Sequence, residues 1–126
     1  MAYRVSKADF ERLVARAVEG MPEQFAQFLE EVPIEIRDRP SPAQRRSVDL
    51  GRGEMLLGLY HGRPRTERSV EESGRMPDVI YIFQDSIEAV SDTEDELVEQ
   101  VRTTVLHEIG HYFGMDEDDL DELGYG

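Results

Sequence analysis

The stretch His107-Glu108-Ile109-Gly110-His111-Tyr112-Phe113-Gly114 decides how this chain is read. On an α-helix, side chains four residues apart lie almost one above the other, so His107 and His111 offer two imidazoles to a single point. That pair is half of a zinc site. Glu108 projects beside the same point, placed to hold and deprotonate a water on the metal. The chemistry implied is metal-assisted hydrolysis, with an amide as the expected bond. Gly114 tolerates positive φ, so the helix can stop three positions past His111 and the chain can turn back beneath the metal.

Working outward, Thr93 and Glu96 form a capping box, and Val98, Val101, Val105, Ile109 and Tyr112 then follow at helical spacing. The spacing predicts a helix over 93–113 with one face in the core. Gln100, Thr104, His107 and His111 share a second side, aimed at a cleft. Before this helix, Val79-Ile80-Tyr81-Ile82-Phe83 is an unbroken apolar run, as expected of a central strand covered on both faces. Pro33 to Arg37 alternates apolar and polar, and Leu56 to Tyr60 is apolar up to the turn residues Gly62 and Pro64, so each predicts a further strand. The intervening 38–53 and 63–74 stretches read as loops.

At the N-terminus, Ser6 with Asp9 marks a helix start, and Phe10, Leu13, Val14, Ala17 and Val18 recur at helical spacing until Gly20. Pro22 opens a second helix carrying Phe25, Phe28, Leu29 and Val32. The expectation is an α+β fold with a single domain over residues 1–126: about three strands packed against the 93–113 helix, with the two N-terminal helices covering the sheet.

Composition narrows the function. There is no cysteine, which removes disulfides, thiolate ligands and cysteine nucleophiles. The net charge is −14, and it is uneven: residues 1–84 carry 14 acidic and 13 basic side chains, residues 85–126 carry 14 acidic ones and Arg102 alone. Such a surface repels phosphate backbones and attracts cations, so no nucleic-acid partner is expected, whereas a basic peptide or protein substrate is. No apolar run reaches membrane-spanning length and no secretory leader is evident, so a cytoplasmic location without membrane association is expected.

A third metal ligand has to follow His111. In one zinc arrangement it is a glutamate about twenty residues further on, but only fifteen residues remain. The shorter His-Glu-x-x-His-x-x-Gly-x-x-ligand spacing selects Glu117, with Asp116 and Glu122 as substitutes. His61 is a lesser ligand candidate, and Tyr60, Tyr112 and Tyr125 are candidate donors to an oxyanion.

His107 to Gly114, the acidic Met115-Asp116-Glu117 and the ending Asp121-Glu122-Leu123-Gly124-Tyr125 resemble the small bacterial zincin-like metallopeptidases, or minimal zincins. Gly58-Leu59-Tyr60 with Thr66-Glu67-Arg68-Ser69 is also similar to that family, so the resemblance covers about residues 50–126. It implies a compact zincin-like core with a small mixed sheet, a Zn2+ held through the helix motif, and proteolysis with Glu108 as general base. Glu117 stands where the related metzincins carry histidine. The alternative expectation is a non-catalytic, zinc-stabilised interaction domain whose acidic surface binds a basic partner.

Overall fold

A computed structural model describes residues 2–46, 48, 55–62 and 78–112. In chain order the elements are α1 (Lys7–Glu19), α2 (Glu23–Glu31), β1 (Ile34–Arg37), α3 (Pro42–Arg46), β2 (Gly58–His61), β3 (Val79–Phe83), α4 (Gln84–Ala89) and α5 (Glu94–Tyr112).

The capping signals act as their chemistry requires. Ser6 Oγ accepts from the Asp9 amide at 3.1 Å and Thr93 Oγ1 accepts from the Glu96 amide at 3.1 Å, each satisfying a donor that the first helical turn leaves unpaired. Glu96 closes its box one residue early, on the Asp92 amide. At the other end of α1, Arg102 Nε donates to the Ala17 carbonyl at 3.2 Å, so the lone base of the acidic half caps one helix from another.

β3 is the central strand of a three-stranded mixed sheet ordered β1-β3-β2, parallel to β1 and antiparallel to β2. Its register pairs Ile34 and Ile36 with Ile80 and Ile82, and Gly58 and Tyr60 with Ile82 and Ile80. Strand side chains alternate, so this even-numbered set faces α5. The odd set faces away, with Tyr81 stacked on Phe83 and the Arg37 guanidinium over the Tyr81 ring.

The core is centred on α5. Leu97, Val98, Val101, Val105 and Ile109 meet Phe10, Leu13 and Ala17 of α1, Ile80 and Ile82 of β3, and Ile87 of α4 in one cluster. Each fully buried side chain of this kind contributes about 1.5–3 kcal/mol. The α+β architecture is therefore as expected, with one difference in layering: α1 lies chiefly along α5 rather than on the sheet.

Two short helices were not expected. α3 sits in the 38–53 stretch read as loop, started by Ser41, whose Oγ accepts from the Gln44 amide while Gln44 Oε1 accepts from the Ser41 amide. α4 follows β3 directly and buries Gln84, Ser86 and Glu88 beside Ile87, so its periodicity is carried mainly by polar residues. The second loop expected, 63–74, lies outside the described residues.

Candidate metal centre

α5 presents His107 and His111 with ring centroids 4.6 Å apart and planes at 69°. One ligand atom from each histidine and one from Glu108 lie within 4.8 Å of one another, the one such group of three among the described residues. Both histidines are half-buried, whereas Glu108 is only 6 % exposed. The sequence expectation that these three side chains converge is met.

The setting of Glu108 comes from outside its helix. Its Oε1 accepts from the Tyr60 amide of β2 at 2.7 Å and lies 3.5 Å from His111 Nδ1. The Tyr60 amide is available for a reason of register. The Phe83 amide donates to the Leu57 carbonyl, so Leu57, Leu59 and His61 are the hydrogen-bonded positions of the antiparallel ladder, and Gly58 and Tyr60 turn their backbone groups off the sheet edge.

β2 also comes unusually close to α5. A Cβ added at Gly58 would sit 2.6 Å from Thr104 Cγ2 and 2.9 Å from the Tyr81 carbonyl oxygen, so only glycine permits this approach. Beside the contact lies a cleft of about 330 Å³ lined by Leu56, Leu57, Gly58, Gln100, Thr103, Thr104, His107 and Glu108. Apart from His107 and Glu108, its walls are uncharged.

The same residues fall within a family match: residues 29–126 fit the model of the zincin-like metallopeptidases. The chain belongs to that family. The zincin-like fold is also seen in a conserved hypothetical protein from Thermo thermophilus, with a TM-score of 0.55 and 22 % identity over 94 % of this chain and 97 % of that one. At that identity the likeness concerns fold alone. No curated protein matches the chain.

Membership of the zincin-like family implies a metal ion, and the donor set fits one. Two imidazoles and a carboxylate are zinc-competent ligands, and donors around one tetrahedral zinc stand roughly 3.4 Å apart, a spacing that rotation of side chains already within 4.8 Å can reach. The proposed third ligand Glu117, its substitutes Asp116 and Glu122, and Tyr125 lie outside the described residues, as does the side chain of Tyr112.

Two other sequence candidates are placed elsewhere. His61 is exposed and packs against Tyr81 at 6.2 Å between ring centroids, on the sheet face away from α5, so it does not join the histidine pair. The Tyr60 hydroxyl donates to Asp78 rather than pointing at the site. Asp78 and the Tyr60 amide were not singled out from sequence. The signal for Asp78 was an acid directly before a wholly apolar strand, but the role of a backbone N–H leaves no mark on residue identity. No helix among the described residues is long and apolar enough to cross a membrane.

Proposed function

We propose that this zincin-like protein is a zinc-dependent metallopeptidase in which His107, His111 and Glu117 hold the ion and Glu108 is the general base. The observation that carries the reading is the convergence of both imidazoles and the Glu108 carboxylate within 4.8 Å, at the mouth of a cleft. When bound, zinc would supply positive charge that polarises a substrate carbonyl and acidifies water.

The rest of the reaction belongs to the chain's own residues. Both described contacts of Glu108 fall on Oε1, so Oε2 is the oxygen that takes a proton from water and returns it to the leaving amine. Water is thereby added across the C–N bond, and Glu108 ends in its starting state. The amide of Tyr60 holds the carboxylate plane still, and the buried wall of β2 and α5 limits competing water. The cleft's neutral walls receive an uncharged side chain of the substrate. The 14 acids of residues 85–126 favour basic residues elsewhere in the peptide, an attraction that salt weakens. A cysteine-free chain suits the reducing cytoplasm, where we place it.

Replacement of Glu108 by Gln tests this against the non-catalytic interaction domain. The peptidase reading requires about one equivalent of zinc and the folded state to be kept while peptide-library hydrolysis drops roughly 10²–10⁴-fold. Unchanged hydrolysis by the variant, or none by the wild type loaded with zinc, refutes the peptidase assignment.

A further inference from the structure

We infer that Tyr60 and Asp78 form a positioning device for Glu108, so that a carboxylate at the far end of β2 controls the alignment of the base. The inference rests on the peptidase reading for its kinetic consequence and on geometry alone for its structural one. Asp78 is 3 % exposed and immediately precedes β3. A buried carboxylate must be hydrogen-bonded to persist, and the Tyr60 hydroxyl donates to it.

The register explains why these two meet. Tyr60 is opposite Ile80, which makes Asp78 its diagonal neighbour on the α5 side of the sheet, within reach of a long side chain. Gly62, at φ 144°, ends β2 where a Cβ would run into the Asp78 carboxylate, so the turn itself leaves room for that group.

Tyr60 thus bridges two carboxylates: its hydroxyl holds Asp78 and its amide holds Glu108 Oε1 at 2.7 Å. Among the described residues β2 is an edge strand of four residues, with β3 its sole strand neighbour. Strands of that kind fray unless tied elsewhere. The phenol anchor fixes the strand end, and the strand end fixes the amide. Asp78 and Tyr60 are positioning residues, since neither side chain meets the histidines.

The test is Tyr60→Phe, with Asp78→Asn as the conservative partner and Asp78→Ala as the severe one, each assayed as zinc-loaded protein. Two readouts are needed. Amide hydrogen exchange and the amide-proton chemical shift at position 60 report the bond to Glu108 without any substrate. Peptide hydrolysis separates kcat from KM. Tyr60→Phe should raise exchange at position 60 at least tenfold, move its amide proton upfield and lower kcat about tenfold, with zinc stoichiometry and KM unchanged. Asp78→Asn, which keeps an acceptor oxygen, should stay nearer the wild type than Tyr60→Phe does. A Tyr60→Phe protein that loses thermal stability yet keeps the wild-type amide shift and kcat would overturn the inference, leaving the pair a structural contact only. If the wild type hydrolyses nothing, the peptidase reading fails by itself, and the exchange data still decide whether Asp78 and Tyr60 set Glu108.

Discussion

Gly58→Ala is expected to separate metal binding from turnover. The new methyl would begin 2.6 Å from Thr104 Cγ2 and 2.9 Å from the Tyr81 carbonyl oxygen, against an ordinary carbon contact of about 3.5–4.0 Å. Relief needs a separation of β2 from α5 of roughly 1 Å, and the carbonyl belongs to the neighbouring strand, so sliding along the sheet does not provide it. Overpacking of this size costs about 1–3 kcal/mol. With an unfolding entropy of about 2.1 cal/mol/K per residue, that lowers Tm by roughly 4–11 °C for a chain of 126 residues. Tyr60, two residues along, moves with the strand, so the 2.7 Å bond to Glu108 stretches to roughly 3.5 Å and is lost. A 1 Å misplacement of a reacting group can cost up to about 10²-fold in turnover. Both histidines are on α5, so zinc affinity should hold. Scanning calorimetry, zinc titration and hydrolysis of a fluorogenic peptide measure the three quantities. Thr104→Ser removes the opposing methyl, so the double variant should be more stable than the sum of the single effects by about 1 kcal/mol. An additive cycle, or zinc affinity falling in step with turnover, would refute the close-approach argument.

Removal of Glu88 should be costly for another reason. Its carboxylate, with the side chain 3 % exposed, accepts from Arg4 Nη1 at 3.0 Å, the Val5 amide at 2.9 Å and Gln84 Nε2 at 3.1 Å, and so holds the N-terminal arm onto α4. Glu88→Ala should cost about 3 kcal/mol, or roughly 12 °C in Tm, because buried donors lose an ionised acceptor. Arg4→Ala should cost under about 1 kcal/mol, since that guanidinium is 59 % exposed; equal losses in a urea titration would contradict the assignment. Chelation should lower the Tm of zinc-loaded protein, since an ion held at 100 times its Kd stabilises the folded state by about 2.7 kcal/mol. The same treatment should leave His107→Ala unmoved, and a matching drop there would place the metal elsewhere.

What could be read from the sequence was whatever short-range geometry settles. α5 shows itself through Thr93 and a run of apolar residues at helical spacing, and its two histidines converge because any helix brings positions four apart together. β3 shows itself because five apolar residues in a row have no other comfortable home than the middle of a sheet. α4 was hidden. Gln84, Ser86 and Glu88 are buried there only because Val5 and Arg4, about eighty residues earlier, supply partners, and no local pattern announces a polar residue that will be buried. α3 was hidden by Pro42 and the arginines around it, which read as loop until Ser41 and Gln44 are seen to cap each other.

The same division runs through the site. Metal binding by His107 and His111 is a local property, written in four consecutive residues of spacing and preserved wherever α5 folds. The setting of Glu108 is not local, because it depends on β2 meeting β3 in one register, on Gly58 admitting Thr104, and on Tyr60 reaching Asp78. A shift of β2 by one residue would exchange the Tyr60 amide for a ladder amide and withdraw the donor from Glu108, while leaving both imidazoles where they are. Substitutions in this protein should accordingly fall into two groups. Those on α5 abolish zinc binding and turnover together, and those on β2 or at Asp78 reduce turnover while zinc stays bound.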